Sequence, residues 1–355
     1  MRIAVDVMGG DNAPDAILQG CLDAVELLGT KDAPLHQVVL IGDAELIGEG
    51  LEEAGLHDDA RYQIEPTTQI IGMAETPTKA LREKSDSSLV RLGELGRPKA
   101  KSGDQHCDVL ISAGNTGATV ATAQMHMRRL KGVHRPGIAI VLPTFHGPVV
   151  VCDVGANPEP RASHLHQYAH MASVYAETVI GVNNPTCAVM NIGGEEGKGT
   201  PLIREANAMC RADKALNYVG YVEGRDLFNG KANVVMTEGF TGNVVLKLAE
   251  GLSKGIFETI AREAFEIDPE LAMRFEPVVK SIYAKHDYHE FGGAPLLGAN
   301  GICMICHGSS EARTIKNAIR NAITYAEAGV NAAIAQRLKA AENFRMPPQS
   351  LETAS

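Results

Sequence analysis

Tryptophan is absent, and all aromatic residues together make up only 5% of the chain, too few for the stacked rings that hold single-stranded nucleic acid. Basic residues are outnumbered, 33 against 43 acidic ones, for a net charge of −10. No arginine- or lysine-rich stripe is present to follow a phosphate backbone, so no nucleic-acid partner is expected. No apolar run approaches the roughly 20 residues that cross a bilayer. The seven cysteines are scattered over 355 residues and form no disulfide framework, which fits a reducing cytosol. No basic-then-apolar leader precedes the first apolar run, Arg2–Val7, so a cytoplasmic location is expected.

What is present is a recurring unit: a short apolar run, a glycine-rich loop, then a segment of helical period. The apolar runs Ile3–Val7, Val38–Ile41, Asp108–Ser112, Ile138–Leu142, Val149–Cys152, Ala188–Met190, Val219–Val222, Val234–Met236 and Ile302–Cys306 predict strands. Helices are expected over Asp15–Leu28, toward Gly55, over Lys79–Lys84, through Arg129, from Ser163, and after Pro201 and Asn243. A final helix of about 30 residues carries Ile315, Ile319, Ile323, Val330, Ile334 and Leu338 on one face. Ile64 opens a less regular segment, and Gly96–Gln105 reads as a surface loop. The alternation predicts a single three-layer α/β/α domain over residues 1–344 with a largely parallel sheet. A helical segment is inserted at about 250–291, and a polar, flexible tail covers 345–355. Ligands of such sheets bind at the carboxyl ends of strands, and the glycine-rich loops are expected to converge on one edge.

The loop of Cys187–Arg204, CAVMNIGGEEGKGTPLIR, places Gly193, Gly194, Gly197 and Gly199 around Lys198, before an N-cap threonine and Pro201. Backbone N–H groups and one cation there suit an anion, while a tight turn with a solvated lysine fits equally. It is no nucleotide P-loop: Ile192 replaces the first Walker glycine and Gly199 the hydroxyl residue. Met8-Gly9-Gly10-Asp11 has the wrong spacing for a dinucleotide fingerprint. Cys303-x-x-Cys306-His307 matches a haem-attachment spacing, but the cysteines sit in an apolar strand and read as packing residues. His307, before Gly308-Ser309-Ser310 and a helix, is placed either to bond a phosphate or carbonyl oxygen or simply to complete the loop.

His164, His166 and His170 share one helix, the last two at i,i+4 spacing; no carboxylate with matching spacing joins them, so a polar helix face is expected. Asn115-Thr116 and Asn243 each follow a glycine-bearing turn at a helix start, where they serve as caps or as donors to an oxyanion. Ile256–Phe291 stands apart from the sheet units: Leu271, Phe275, Val278, Val279 and Ile282 form a stripe for core, dimer or membrane-surface packing.

Taken in order, RIAVDVMGGDNAP (2–14), SAGNTGA (112–118), DVGAN (153–157), NIGGEEGKGT (191–200), VEGRDLFNGKANVV (222–235), EGFTGNVVLK (238–247), GGAPLLG (292–298) and HGSS (307–310) closely resemble the bacterial phosphate acyltransferases of phospholipid synthesis. The similarity covers nearly the whole chain. Glu238 stands where that family usually has Asp, and Cys306 where Gly or Ala is frequent. Gly96–Gln105 is longer than usual, and Pro158–Pro160 alters the run after DVGAN.

The resemblance implies a fold related to isocitrate/isopropylmalate dehydrogenases and phosphotransacetylases, working as a homodimer. It implies formation of acyl phosphate from long-chain acyl-acyl carrier protein and inorganic phosphate, with no metal or cofactor. A peripheral contact is implied with the membrane, where a membrane-bound glycerol-3-phosphate acyltransferase consumes the product. Phosphate is already nucleophilic at neutral pH, so positioning and oxyanion stabilisation suffice. Lys198 and Asn243 are expected to be catalytic. Gly114, Asn115, Thr116, Gly197, Gly199, Gly242, His307, Gly308, Ser309 and Ser310 are expected to cradle phosphate or substrate. Asp153, Asn157 and Glu238 are secondary candidates. Docking an acidic carrier on an acidic chain needs a local basic patch, either Lys79, Arg82 and Lys84 or Arg128, Arg129 and Lys131. The alternatives are a coenzyme A-dependent phosphotransacetylase and a non-catalytic phosphate- or acyl-binding module.

Overall fold

The computed structural model describes residues 1–286 and 292–341. The strands are β1 (Arg2–Asp6), β2 (Gln37–Gly42), β3 (Tyr62–Pro66), β4 (Val109–Ser112), β5 (Gly137–Leu142), β6 (Val149–Cys152), β7 (Thr186–Met190), β8 (Asn217–Val222), β9 (Val234–Met236), β10 (Ala294–Leu297) and β11 (Ile302–Ile305). The helices are α1 (Asp15–Asp23), α2 (Ala44–Glu53), α3 (Pro77–Glu83), α4 (Ser88–Leu95), α5 (Lys99–Ser102), α6 (Thr116–His126), α7 (Ala162–Tyr175), α8 (Pro201–Ala212), α9 (Gly239–Ile267), α10 (Pro269–His286), α11 (Ala312–Glu327) and α12 (Val330–Ala341). All strands join one sheet in the order β3-β2-β1-β4-β11-β10-β5-β6-β9-β7-β8.

Apolar side chains alternate between the two faces of this sheet, and helices bury both. Ile3, Val5, Val109 and Ile111 pack with Ile17, Tyr168, Ile203, Ile315 and Ile334 on one side. Ala4, Val39, Leu110 and Val151 pack with Leu81, Leu92 and Val120 on the other. Covering both faces explains why the strands read as continuous apolar runs and not as alternating ones. The expected α/β/α layering is therefore present. No helix among the described residues is long and apolar enough to cross a membrane.

The single carboxyl edge expected from the sequence is replaced by two blocks. β3, β2, β1, β4 and β11 are mutually parallel, as are β6, β9, β7 and β8. Between them, β10 pairs antiparallel with β11 and β5, and β5 pairs antiparallel with β6. The reversal between the blocks is the β5–β6 pair; β10, antiparallel to both of its neighbours, leaves β5 running with the first block, and Pro295 and flanking glycines hide β10 from a pattern reading.

Other boundaries shift for local reasons. The expected 30-residue helix is two, α11 and α12, parted at Gly329, whose φ of 63° is left-handed and ends a helix. Its apolar face survives the break, with Ile315, Ile319, Val330, Ile334 and Leu338 buried. The first helix stops at Asp23 and tightens into a 3-10 turn over Val25–Leu28. The segment after Ile64 holds β3 and, further on, α4, capped by Ser87 accepting from Val90 N–H. Lys99–Ser102 adds a helical turn to the expected loop at Gly96–Gln105. Far from standing apart, the segment after Ile256 continues α9, a 29-residue helix leaving β9 directly. Its last residues, 287–291, and the tail 345–355 lie outside the described residues.

Candidate active site

At the end of the first block, Asp6 closes β1 with a fully buried carboxyl group. The Ser112 hydroxyl, ending β4, donates to Asp6 Oδ2 at 2.8 Å and accepts from Gly114 N–H at 3.0 Å. Burial pushes the Asp6 carboxyl up, against hydrogen bonds from Ser88, Ser112 and the backbone. The loop after β1 passes tightly over it: a Cβ on Gly9 would sit 2.3 Å from Asp6 Oδ2. Asn115 is consumed by the fold. Its Oδ1 caps α6 by accepting from Ala118 N–H at 3.0 Å, and its Nδ2 donates to the Met73 and Glu75 carbonyls at 3.0 and 2.9 Å. Thr116 beside it is exposed.

β11 leads into His307–Ser310, clamped to the β1 loop. Asp11 N–H donates to the Gly308 carbonyl at 2.7 Å, and Asn12 Nδ2 to the Ser309 carbonyl at 3.1 Å. His307 Nδ1 lies 2.7 Å from Ser309 Oγ. The Ser310 hydroxyl is fully buried with no partner among the described residues. Glu311, the N-cap of α11, gives no side-chain cap, so the leading N–H groups of a 16-residue helix are left open to an anion.

At the end of the second block, Asp153 organises the loop after β6. Its Oδ1 accepts from Ile138, Gly155 and Ala156 N–H at 2.9, 3.2 and 3.0 Å, and its Oδ2 from Asn157 N–H at 2.7 Å. Burial raises this carboxyl, against those same amides. Asn157 Nδ2 donates to the Pro136 carbonyl and to Tyr168 Oη at 2.6 and 2.9 Å. Glu238 caps α9, its carboxylate accepting from Thr241 N–H at 2.9 Å and from the Thr241 hydroxyl. Gly242 lets that first turn sit on the Asp153 loop, since a Cβ there would lie 2.0 Å from the Asp153 carbonyl oxygen. Just after neighbouring β7, Asn191 Nδ2 ties the glycine loop together by donating to the Gly193 and Lys198 carbonyls at 3.0 and 3.3 Å. Gly199 turns with φ of 90°, and Gly197 is exposed. Thr200 caps α8 as expected. The Lys198 side chain is exposed and makes no hydrogen bond among the described residues; Glu196 pairs with Arg211 at 3.3 Å.

Helix α9 joins the two groups. It starts beside Asn157, whose carbonyl accepts from Gly239 N–H at 2.9 Å, and carries Lys247 to His307 Nε2. Asn243 precedes Lys247 by four residues and so shares its face of the helix. Lys247 also pairs with Glu250 at 2.9 Å. Lys247, His307, Ser309 and Arg313 line a cavity of about 1160 Å³ together with the apolar Leu142, Phe145, Phe228, Ile256, Phe257 and Ile282 and the carboxylates Glu250, Glu258 and Glu311. The arrangement can hold an anion next to an apolar chain. Lys247 and Arg313 were missed from the sequence; the only available signal was their position within EGFTGNVVLK and just after HGSS.

The expected polar histidine face is instead a buried clasp. His166 and His170 Nε2 lie 2.8 and 2.9 Å from Asp213 Oδ2, at the end of α8. Burial lowers both imidazoles, His170 to about 4. Burial also works against the Asp213 carboxylate, but the Ala215 N–H and the two rings hold it below its usual range. The carboxylate comes from 47 residues beyond His166, which sequence spacing cannot reveal. These three are the one set among the described residues whose ligand atoms, all within 4.8 Å of one another, could hold a metal ion. His164 is not part of it.

The layered sheet and the joined loops define an α/β/α protein of the phosphotransacylase fold. A phosphotransacetylase from Streptococcus pyogenes superposes with a TM-score of 0.56 at 16% identity, over 96% of this chain and 94% of that one. A branched-chain phosphotransacylase from Enterococcus faecalis gives 0.54 at 13%, over 91% and 98%. Residues 1–333 match the family described as fatty acid synthesis protein. Relatives named phosphate acyltransferase include those of Geotalea daltonii, 40% identical over 99% of this chain and 98% of its own. That of Desulfitobacterium hafniense is 43% identical over 93% and 95%. The chain belongs to the phosphate acyltransferase family and is an acyltransferase.

Proposed function

We propose that this chain converts long-chain acyl-acyl carrier protein and inorganic phosphate into acyl phosphate and free carrier protein. The observation that carries the reading is the cavity lined by Lys247, His307, Ser309 and Arg313 together with apolar side chains such as Leu142, Phe145, Phe228 and Phe257. A phosphate oxygen attacks the thioester carbonyl, the C–O bond forms, and collapse of the tetrahedral oxyanion breaks the C–S bond to release the carrier thiolate. Phosphate is held by His307, Gly308, Ser309 and Ser310 at the open N-terminus of α11, with Gly114 and Thr116 at the adjoining β4 loop. Asn243, one turn from Lys247, donates to the oxyanion. Lys198, on the Gly197–Gly199 turn of the neighbouring loop, supplies a mobile charge to the same centre. Asp153, Asn157 and Glu238 hold the first turn of α9 in place.

The homodimer of this reading uses the exposed stripe Phe240, Val244, Leu248, Leu252 and Ile260 along α9, which is 37–68% exposed in the single chain. The product is an acyl chain with a charged head, so consumption by a glycerol-3-phosphate acyltransferase in the membrane places this chain at the cytoplasmic surface.

The test is phosphate-dependent thiol release from long-chain acyl carrier protein, repeated with Lys198→Ala and Asn243→Ala. Loss of at least tenfold in both supports the assignment, and wild-type rates in both remove it. The fold shared with phosphotransacetylases keeps coenzyme A thioesters as a second reading, decided by side-by-side turnover of acyl-coenzyme A and acyl carrier protein.

A further inference from the structure

Two basic clusters in the sequence could receive an acidic partner, and the structure treats them differently. On α3, Lys79 pairs with Glu83 at 3.9 Å and Lys84 with Glu75 at 2.6 Å, which leaves Arg82 as the uncompensated charge. In the other cluster none of Arg128, Arg129, Lys131, Arg135 and Arg161 has a carboxylate within ion-pair distance among the described residues. All five are exposed, in a chain of net charge −10.

These cations are gathered by tertiary structure. Arg135, Arg161 and His164 line a pocket of about 780 Å³, with Glu159 the one acidic group on its wall. The His134 and His164 rings meet edge-on with centroids 6.0 Å apart, and Arg129 donates to the His134 carbonyl, which brings the 128–135 turn against the start of α7. Burial first, and then the charges of His134, Arg135, Arg161 and Arg129, lower His164, as expected of a locally positive site. Asn157 lies on the same wall, and its carbonyl anchors Gly239 at the start of α9, four residues before Asn243. The pocket therefore opens beside the first turn of the helix that carries the proposed oxyanion donor.

We propose that Arg129, Arg135 and Arg161 form the docking surface for the acidic face of the acyl carrier protein, with its thioester-bearing arm directed past Asn157 toward α9. The surface rests on the acyl-carrier reading above and names the region of the chain that meets that partner. Guanidinium groups suit it because each forks to a carboxylate without losing its charge on partial burial. Uncompensated cations on an acidic chain also steer an acidic partner to one face and repel it from the rest.

The experiment compares wild type with Arg135→Glu/Arg161→Glu, Arg129→Glu, the charge-keeping Arg135→Lys/Arg161→Lys, and Arg82→Glu as a control for the other cluster. Binding of holo-acyl carrier protein is measured without turnover, and steady-state rates are taken with long-chain acyl carrier protein and with the same acyl group on N-acetylcysteamine. The expected result is at least tenfold weaker carrier binding and a tenfold higher KM for acyl carrier protein in the Glu variants, with a flattened salt dependence. The KM for phosphate stays within twofold, the Arg82→Glu variant stays near wild type, and the Lys variant, which keeps the charge but loses the fork, weakens carrier binding less than the Glu variants. Unchanged carrier binding in the Glu variants overturns the proposal, as does an equal loss toward phosphate. If wild type binds carrier through these arginines yet releases no thiol with phosphate, the docking surface stands and the reaction assigned above falls.

Discussion

The Lys247 ammonium on α9 contacts His307 Nε2 at the end of β11, joining residues 60 positions apart. With His307 Nδ1 facing Ser309 Oγ at 2.7 Å, the imidazole bridges the HGSS loop to the helix that starts on the Asp153 loop. One rigid element thereby links the ends of both parallel blocks.

Removing the Lys247 charge is expected to weaken phosphate use. A charged hydrogen bond contributes roughly 1.5–3 kcal/mol, about ten- to a hundredfold. Lys247→Met should raise the KM for phosphate by that factor, and Lys247→Arg should recover most of it. Initial rates over a phosphate series check this, and an unchanged KM in Lys247→Met would remove Lys247 from the anion site.

The clasp of His166, His170 and Asp213 makes stability sensitive to acid. His170 sits near 4 in the folded chain against an ordinary 6.5, so below neutrality the unfolded chain binds more protons and stability falls with pH. The loss begins near pH 6.5, reaches about 2 kcal/mol at pH 5 from this residue alone, and is complete near pH 4. Urea unfolding at pH 8 and pH 5 should show it, with a shallower pH slope in His170→Asn. Equal slopes in the two proteins would count against the clasp.

Gly242→Ala tests the seat of α9. The added Cβ would lie 2.0 Å from the Asp153 carbonyl oxygen, a backbone atom that moves only with its loop. The expected cost is about 3 kcal/mol, at the upper end for overpacking, together with reduced activity because Asn243 and Lys247 ride on the same helix. Chemical denaturation and turnover measure the two effects separately. Gly255→Ala, inside the same helix but with open space around the site, should leave turnover unchanged and raise stability by up to about 1 kcal/mol.

The α9 stripe should govern assembly. Leu248 and Leu252 are 66% and 59% exposed in the single chain, and burying both against a second copy removes apolar surface that otherwise faces water. Leu248→Asp/Leu252→Asp is expected to shift the protein to monomer in sedimentation equilibrium. A dimer of unchanged affinity would place the interface elsewhere.

Much of the architecture is local and was therefore legible. Ile138–Leu142, Val149–Cys152 and Val234–Met236 announce buried strands by their own composition, and Thr200-Pro201 and Ser163 mark helix starts within two residues. The ordered motifs from RIAVDVMGGDNAP to HGSS identify the family, because a run of uncommon glycine loops in one order is itself a sequence property. The polar identity of the loops was legible in the same way, but not the use of each side chain. Asn115 reads alike as cap or ligand, and the carbonyls of Met73 and Glu75 that occupy its amide come from about 40 residues upstream.

Tertiary structure decided what depends on separated segments. The antiparallel β5–β6 pair reversed the ladder and divided the expected single edge into two blocks, with the short, proline-bearing β10 inserted between β11 and β5. Asp213 turned a histidine face into a clasp, Lys247 reached His307, and ion pairs took up Lys79 and Lys84 while leaving the arginines around His134 open. In each case the deciding partner lies outside the few residues over which backbone periodicity and capping act. Sheet order and helix packing fix these contacts, so the sequence determined the elements and the family, and the fold determined which side chains meet.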